Sequence, residues 1–372
     1  MSGNEMGRRS FLTGMAACIA AVTGLINAGK ENVAAAYEKN TKSSKVVSVF
    51  HPAASAAGKG LDNADLDQEA VRQMVHAGIL AFTGEKDLKK AWRKIIPDPG
   101  KKVAIKINCQ IRGVYTKAKV VQPLVEGLIA SGVPADNIII YDKTANAFDL
   151  AGFTPNTGAG VKVGKVSDFG GYSRFLFHRL ANLLTGGYEN SFRNYVAKIG
   201  RESHFGSVRS LAKMALQEHK PQWDCEYLIN VPVLKALDGY SGISMSMKNH
   251  YGTIANPSEH HDDIMDYIPL VNSLPEIRNK TRLIVLDAIF GEYKWINGRD
   301  QKYVVRVNKA LMSDDPVAID TIGWKMIEGL RGQYGLPPLV PQPAFIAKAA
   351  QMGLGHNDPA QIEMIELKLA GK

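Results

Sequence analysis

Cysteine is scarce in this chain, and the scarcity excludes one common class of redox centre. The 372 residues include 3 cysteines, and no two of them form a C-x-x-C pair. An iron–sulfur cluster usually takes four cysteine ligands, so we expect none here. Cys109 and Cys225 each lie in or beside an apolar, strand-like run. A buried thiol is the commoner outcome in such a run, and a single disulfide between the two is the alternative.

Several other familiar signals are also missing. The sequence has no G-x-G-x-x-G fingerprint, no phosphate-binding loop and no nucleophile motif, so no catalytic residue is assigned. Its lysines are spread along the chain without basic blocks, which argues against nucleic acid as a partner. No strongly apolar run reaches the roughly 20 residues of a membrane span, so we expect no stable membrane anchor.

The first 36 residues have the pattern of an export signal. Arg8 and Arg9 precede Ser10-Phe11-Leu12, and an uncharged run rich in Ala and Gly follows. This pattern resembles the twin-arginine signal peptide, whose pathway carries proteins already folded. The resemblance implies a periplasmic or otherwise exported protein and the twin-arginine translocation machinery as a partner. Small residues allow cleavage after Ala28 or before Tyr37.

The chain that remains after cleavage is basic. Removing residues 1–36 leaves 42 basic and 34 acidic residues, a net charge of +8. An excess of positive charge favours anionic ligands.

Residues 37–372 have the pattern of a single large α/β domain with a mostly parallel sheet flanked by helices. Apolar runs rich in Val and Ile alternate with amphipathic stretches, which is typical of parallel crossover connections. The predicted strands are 46–50, 103–108, 137–141, 227–233, 243–247 and 282–287, and the predicted helices are 66–82, 119–131, 208–219 and 264–274. A stretch at about 170–201, rich in Gly, Asn, Arg and aromatic residues, is interpreted as an inserted excursion from the sheet.

Charged and amide side chains end four of the predicted strands. They are Lys106 with Asn108, Lys235, Lys248 with Asn249, and Asp287. Ligands of open α/β sheets bind beyond the carboxyl ends of the strands. Because lysine is rarely buried without a partner, each lysine needs either a carboxylate, such as Asp142 or Asp287, or an anionic ligand. The alternative is a separate internal ion pair for each lysine.

The segment 313–316, Ser-Asp-Asp-Pro, predicts a helix start because Ser or Asp caps free N–H groups and Pro fits the first turn. Asp320 follows among apolar residues, and we expect it to pair with a lysine. The predicted site therefore binds an anionic small molecule or cofactor. Its residues are Lys106, Asn108, Lys235, Lys248, Asn249, Asp287 and Asp320.

Histidines near this group define a second hypothesis, a divalent-metal site. His250, His260 and His261 could supply imidazole ligands together with nearby carboxylates. The spacing is not that of a standard metal motif, and adjacent histidines before Asp262 and Asp263 are also typical of a solvated helix start.

Taken together, several blocks resemble the domain of unknown function 362 family over about residues 101–372. They are V-A-I-K106-I-N108, N230-V-P-V-L-K235, S-M-K248-N249 with Gly252, Asp287 with Gly291 and Gly298, S313-D-D-P-V-A-I-D320, and G353-L-G355. The resemblance implies an α/β domain, which some relatives combine with ferredoxin-type iron–sulfur modules. This chain lacks a cysteine-rich insert, and the family brings no reaction with it.

Two functional hypotheses follow. The first is an exported enzyme or cofactor-handling protein whose lysine pocket holds an anionic group, with Asp287 and Asp320 orienting the lysines. The second is a non-catalytic assembly or binding factor for an exported redox enzyme, with the excursion at 170–201 as its contact surface.

Overall fold

A computed structural model describes residues 43–56, 58, 60–169, 225–254, 257, 261–296 and 301–371. Residues 1–36, the predicted helix 208–219, the excursion at about 170–201 and His260 lie outside the described residues. Within them the chain forms one α/β domain around a ten-stranded, mixed but mostly parallel sheet flanked by helices, as predicted.

The main run of the sheet has the strand order β10-β1-β9-β8-β5-β2-β3-β4. Strand β6 pairs with β8 and carries the short strand β7. The strands are β1 Ser44–Phe50, β2 Val103–Lys106, β3 Ile138–Asp142, β4 Lys162–Lys165, β5 Tyr227–Asn230, β6 Val233–Leu237, β7 Gly242–Ile243, β8 Thr281–Glu292, β9 Val304–Ser313 and β10 Ile362–Lys368. The pairs β1–β9, β8–β9 and β6–β7 are antiparallel, and the other pairs are parallel.

Helices alternate with these strands, and several begin at an acidic cap. The described α-helices are α1 Gln68–Thr83, α2 Leu88–Ile95, α3 Ala118–Ser131, α4 Phe148–Ala151, α5 Ser246–Asn249, α6 Ile264–Ser273, α7 Pro275–Arg278, α8 Pro316–Gln333 and α9 Phe345–Gln351. The Asp67 side chain accepts the Ala70 N–H at the start of α1, and Asp315 accepts the N–H groups of Val317 and Ala318 at the start of α8. These bonds satisfy donors that a helix leaves free at its first turn. The predicted helix start at 313–316 is confirmed.

Both faces of the sheet are buried. Alternate residues of a strand point to opposite faces, and in β8 Leu283 and Val285 belong to one apolar cluster while Ile284 and Leu286 belong to another. Residues of α1, α2 and α3 complete the first cluster, and residues of α6, α8 and α9 complete the second. The sheet is therefore packed between two apolar clusters, one on each face.

Three strand predictions need correction. The run 227–233 is two strands, β5 and β6, rather than one. Residues 243–247 contain the end of the two-residue strand β7 and the start of α5, rather than one strand. Strand β8 continues to Glu292, so Asp287 lies inside the strand and does not end it.

Candidate functional site

The carboxyl ends of three parallel strands meet at one edge of the sheet. Strand β2 lies between β3 and β5, and the last residue of β2, Lys106, is in register with Tyr141 and Asn230. Asp142 ends β3 one residue later. The parallel register thus places an ammonium, a carboxylate and an amide side by side.

Lys106 forms a buried ion pair. Its Nζ lies 2.7 Å from Oδ1 of Asp142, and the two side chains are 1% and 3% exposed. The same Nζ donates to Oδ1 of Asn249 at 3.1 Å. Asp142 also accepts the N–H groups of Cys109 and Lys143. A buried charge pair needs such additional hydrogen bonds to offset the loss of hydration.

A chain of amide side chains continues from this pair. Asn249 Nδ2 donates to Oδ1 of Asn230 at 2.7 Å, and Asn108 Nδ2 donates to Oδ1 of Asn249 at 3.1 Å. Asn230 Nδ2 in turn donates to the carbonyl of Ser246 at 3.0 Å. Asn108 Oδ1 has no hydrogen-bond partner among the described residues. The network fixes the orientation of Asn249 and leaves one free acceptor.

Asp320 holds the short helix α5, which carries Lys248 and Asn249. Its two carboxylate oxygens accept the N–H groups of Ser246 and Met247 at 2.7 and 3.0 Å. Burial raises the pKa of Asp320 to about 7, although these two hydrogen bonds act in the opposite direction. The expected lysine partner for Asp320 is therefore wrong: its partners are backbone N–H groups.

The side-chain ammonium groups of Lys235 and Lys248 have no hydrogen bond or ion pair within the described chain, in contrast to that of Lys106. Burial lowers the pKa of Lys235, while Glu292 and Asp142 act to raise it. Burial, with a smaller contribution from the charge of Lys235, lowers the pKa of Lys248 to about 7. The Lys248 Nζ lies 4.4 Å from the ring centroid of Tyr251, a cation–π distance.

All three lysines line one cleft of about 340 Å³. The cleft also contains predicted residues Asn108 and Asn249, and residues that the sequence did not indicate for the site. The latter are Gln110, Ile111, Leu237, Tyr240, Ser244, Tyr251, Gly252, Pro257 and Trp295, with His261 from the metal hypothesis. Asp142, which the sequence indicated as a possible lysine partner, also lines the cleft and pairs with Lys106. The structure thus brings together five of the seven residues predicted for the anion site.

Asp287 lies elsewhere, and the expectation that it orients a cleft lysine is wrong. Its oxygens accept the N–H groups of Lys117 and Ile289 at 3.1 and 3.2 Å. Its charged neighbour is Lys117, whose Nζ lies 3.8 Å from the ring centroid of Tyr115. Burial lowers the pKa of Lys117 to about 8.

The two described histidines of the metal hypothesis, His250 and His261, contact different residues. His250 is buried, with Nδ1 3.2 Å from Oγ1 of Thr253, and burial lowers its pKa to about 3. His261 packs edge-on against Tyr240 and Tyr251. In the described ranges no group of three or more His, Cys, Asp or Glu side chains could hold a metal ion. Because His260 lies outside those ranges, the three-histidine site stays a prediction.

Two further observations bear on the sequence analysis. Cys109 and Cys225 are both buried free thiols. None of the helices that the structure describes combines the length and apolar character needed to cross a membrane.

The fold and the cleft define an α/β protein with a lysine-lined cleft at the carboxyl edge of its parallel strands. The family described as "Domain of unknown function (DUF362)" matches residues 103–325, more than half of the chain. The chain belongs to this family. Comparisons with curated proteins and with solved structures gave no match.

Proposed function

We propose that this is an exported protein that binds an anionic small molecule or cofactor in the cleft between β2, β6 and α5. One observation carries the proposal: three lysines line the same cleft, and the side-chain nitrogens of two of them have no hydrogen bond or ion pair in the described chain. The resemblance of Arg8-Arg9-Ser-Phe-Leu to a twin-arginine signal supports export in the folded state.

The balance of charge supports an anion rather than a cation. Asp142 is the only carboxylate among the cleft-lining residues in the described chain, and Lys106 already pairs with it. Glu292 lies near Lys235, but burial raises its pKa to about 7. At an effective dielectric of about 20, two unit charges roughly 4 Å apart interact by about 4 kcal/mol. A carboxylate or phosphate would relieve the repulsion among the lysines, and a divalent cation would increase it.

A thermal-shift titration tests this proposal. Phosphate, sulfate and dicarboxylates would be added to the purified protein, since a ligand at 100 times its dissociation constant stabilises by about 2.7 kcal/mol. At least one anion should raise the melting temperature of the wild type and have little effect on Lys248→Ala. Lys143→Ala is the matched control, because Lys143 is a half-buried lysine outside the cleft lining. If only divalent metals stabilise the protein and Lys248→Ala responds like the wild type, the metal hypothesis replaces the anion proposal.

A further inference from the structure

One wall of the cleft is a row of aromatic rings. The ring centroids of Trp295 and Tyr240 are 5.4 Å apart with the planes at 89°, and those of Tyr240 and His261 are 6.4 Å apart at 85°. His261 and Tyr251 follow at 5.8 Å and 89°. The row ends at Lys248, whose Nζ lies over the Tyr251 ring. Four rings thus connect the surface to the lysines.

The outer rings are held in place by the backbone around them. Tyr240 lies in the turn between β6 and β7, where Gly239 has a φ of 76°. The Asp238 side chain accepts the backbone N–H of Trp295 at 3.0 Å and pairs with Arg331 at 2.8 Å. Tyr240 is nevertheless 45% exposed. An aromatic side chain fixed at the mouth of a polar cleft offers a ready surface for another flat ring.

Two residues that line the cleft each have a buried side-chain polar atom without a hydrogen-bond partner in the described chain. Trp295 Nε1 is buried and has no hydrogen-bond acceptor within the described chain, and Asn108 Oδ1 has no donor there. A buried polar atom left without a partner is costly. These two atoms therefore favour a ligand that has hydrogen-bonding groups in addition to its charge.

We infer that the ligand of this cleft is a flat, unsaturated ring that carries a carboxylate or phosphate. The acidic group lies at Lys235 and Lys248, and the ring lies along the wall formed by Tyr240, Trp295, His261 and Tyr251. This inference rests on the proposed anion site and names the class of anion that fits it.

Calorimetric titration with matched carboxylates tests the inference. Benzoate and cyclohexanecarboxylate have the same number of carbon atoms and the same charge, but only benzoate has a flat ring. The wild type should bind benzoate about threefold to tenfold more tightly, the range expected from one ring–ring contact. Tyr240→Leu should lose this preference and keep its affinity for sulfate. Tyr334→Leu removes another exposed ring, 52% exposed and outside the cleft lining, and should keep the preference.

Fluorescence provides a second readout. The chain has 4 tryptophans, and benzoate should change the emission of the wild type but not that of Trp295→Phe, while calorimetry still detects binding to the variant. Equal affinities for benzoate and cyclohexanecarboxylate, or a preference retained in Tyr240→Leu, would overturn the inference and leave the anion site standing. If sulfate, phosphate and both carboxylates all fail to bind, the proposed function falls together with the inference.

Discussion

The three cleft lysines have different electrostatic surroundings. Lys106 has a carboxylate within hydrogen-bonding distance, and Lys235 has Glu292 and Asp142 acting on it from farther away. Among the residues that the structure describes, no anionic neighbour acts on the pKa of Lys248, and its charged neighbour is Lys235. The charge of Lys248 therefore depends on pH and on a bound anion.

Sulfate binding should weaken as the pH rises above about 7. The pKa of Lys248 is lowered to about 7, so Lys248 is an ammonium below that pH and a neutral amine above it. Sulfate itself does not titrate in this range. Each pH unit above the pKa lowers the ammonium fraction by about tenfold, and the affinity should fall in parallel until other contacts dominate. Calorimetry from pH 6 to 9 measures this change.

Lys248→Arg is the control for the pH profile, because arginine stays charged throughout the range. This variant should keep its affinity for sulfate at high pH. A small decline in the variant would report the ionisation of Glu292, whose pKa is about 7. A wild-type profile that is flat from pH 6 to 9 would show that Lys248 does not contact the anion.

Among the secondary-structure elements, α5 and the turn after it determine the shape of the cleft. Asp320 caps α5, and Gly252 lies in the short 3-10 helix His250–Thr253 that follows. A Cβ at Gly252 would lie 2.7 Å from Cε of Lys106 and 2.8 Å from Oδ1 of Asp142. Glycine is needed here because the backbone passes directly over the buried ion pair.

Gly252→Ala should weaken both stability and sulfate binding. The added methyl group displaces Lys106 from Asp142, and overpacking a buried site typically costs about 1–3 kcal/mol. Gly329→Ala is the matched control, since a Cβ at Gly329 in α8 meets no atom within 4 Å. That change should be neutral or stabilise by up to about 1 kcal/mol, as alanine favours a helix. Denaturant unfolding measures the free energy of unfolding of both variants. Equal values for Gly252→Ala and Gly329→Ala would contradict the close contact at Gly252.

The sequence predicted these elements best where the local pattern alone determines them. Strand β2 and helix α3 follow their apolar periodicity, and the cap of α8 is visible in residues 313–316. The sequence failed at α5 because its N–H groups are satisfied by Asp320, more than 70 residues away. Tyr240 and Trp295 were missed because their contact is also long-range. Tyr240 lies in the turn between β6 and β7, and Trp295 follows the end of β8, where its backbone N–H binds Asp238.

For the whole molecule, the site depends on parallel strand order as well as on residue type. Lys106, Asn230 and Asp142 come from three segments separated along the chain, and the register of β2 with β3 and β5 joins them. The alternation of strands and helices was sufficient to predict this edge of the sheet. It could not show that Asp287 accepts the backbone N–H of Lys117, because the two residues are 170 positions apart in the sequence.

Replacing Arg8 and Arg9 by lysine should leave the uncleaved precursor in the cytoplasm. The twin-arginine pathway reads the arginine pair, and lysine keeps the charge but not the planar guanidinium. Cell fractionation followed by immunoblotting measures how the protein is distributed between cytoplasm and periplasm. Lys42→Arg, outside the signal, serves as a charge-preserving control. Normal export of the double variant would remove the twin-arginine interpretation.

The position of β1 in the sheet has a consequence for the order of events during synthesis. Strand β1 lies between β9 and β10, which follow it by more than 250 residues in the described chain. A ribosome must therefore release residues 362–368 before β1 can gain its second neighbour. Until then one edge of β1 has no strand partner for its backbone N–H and C=O groups, so this part of the sheet forms only after residues 362–368 have been synthesised.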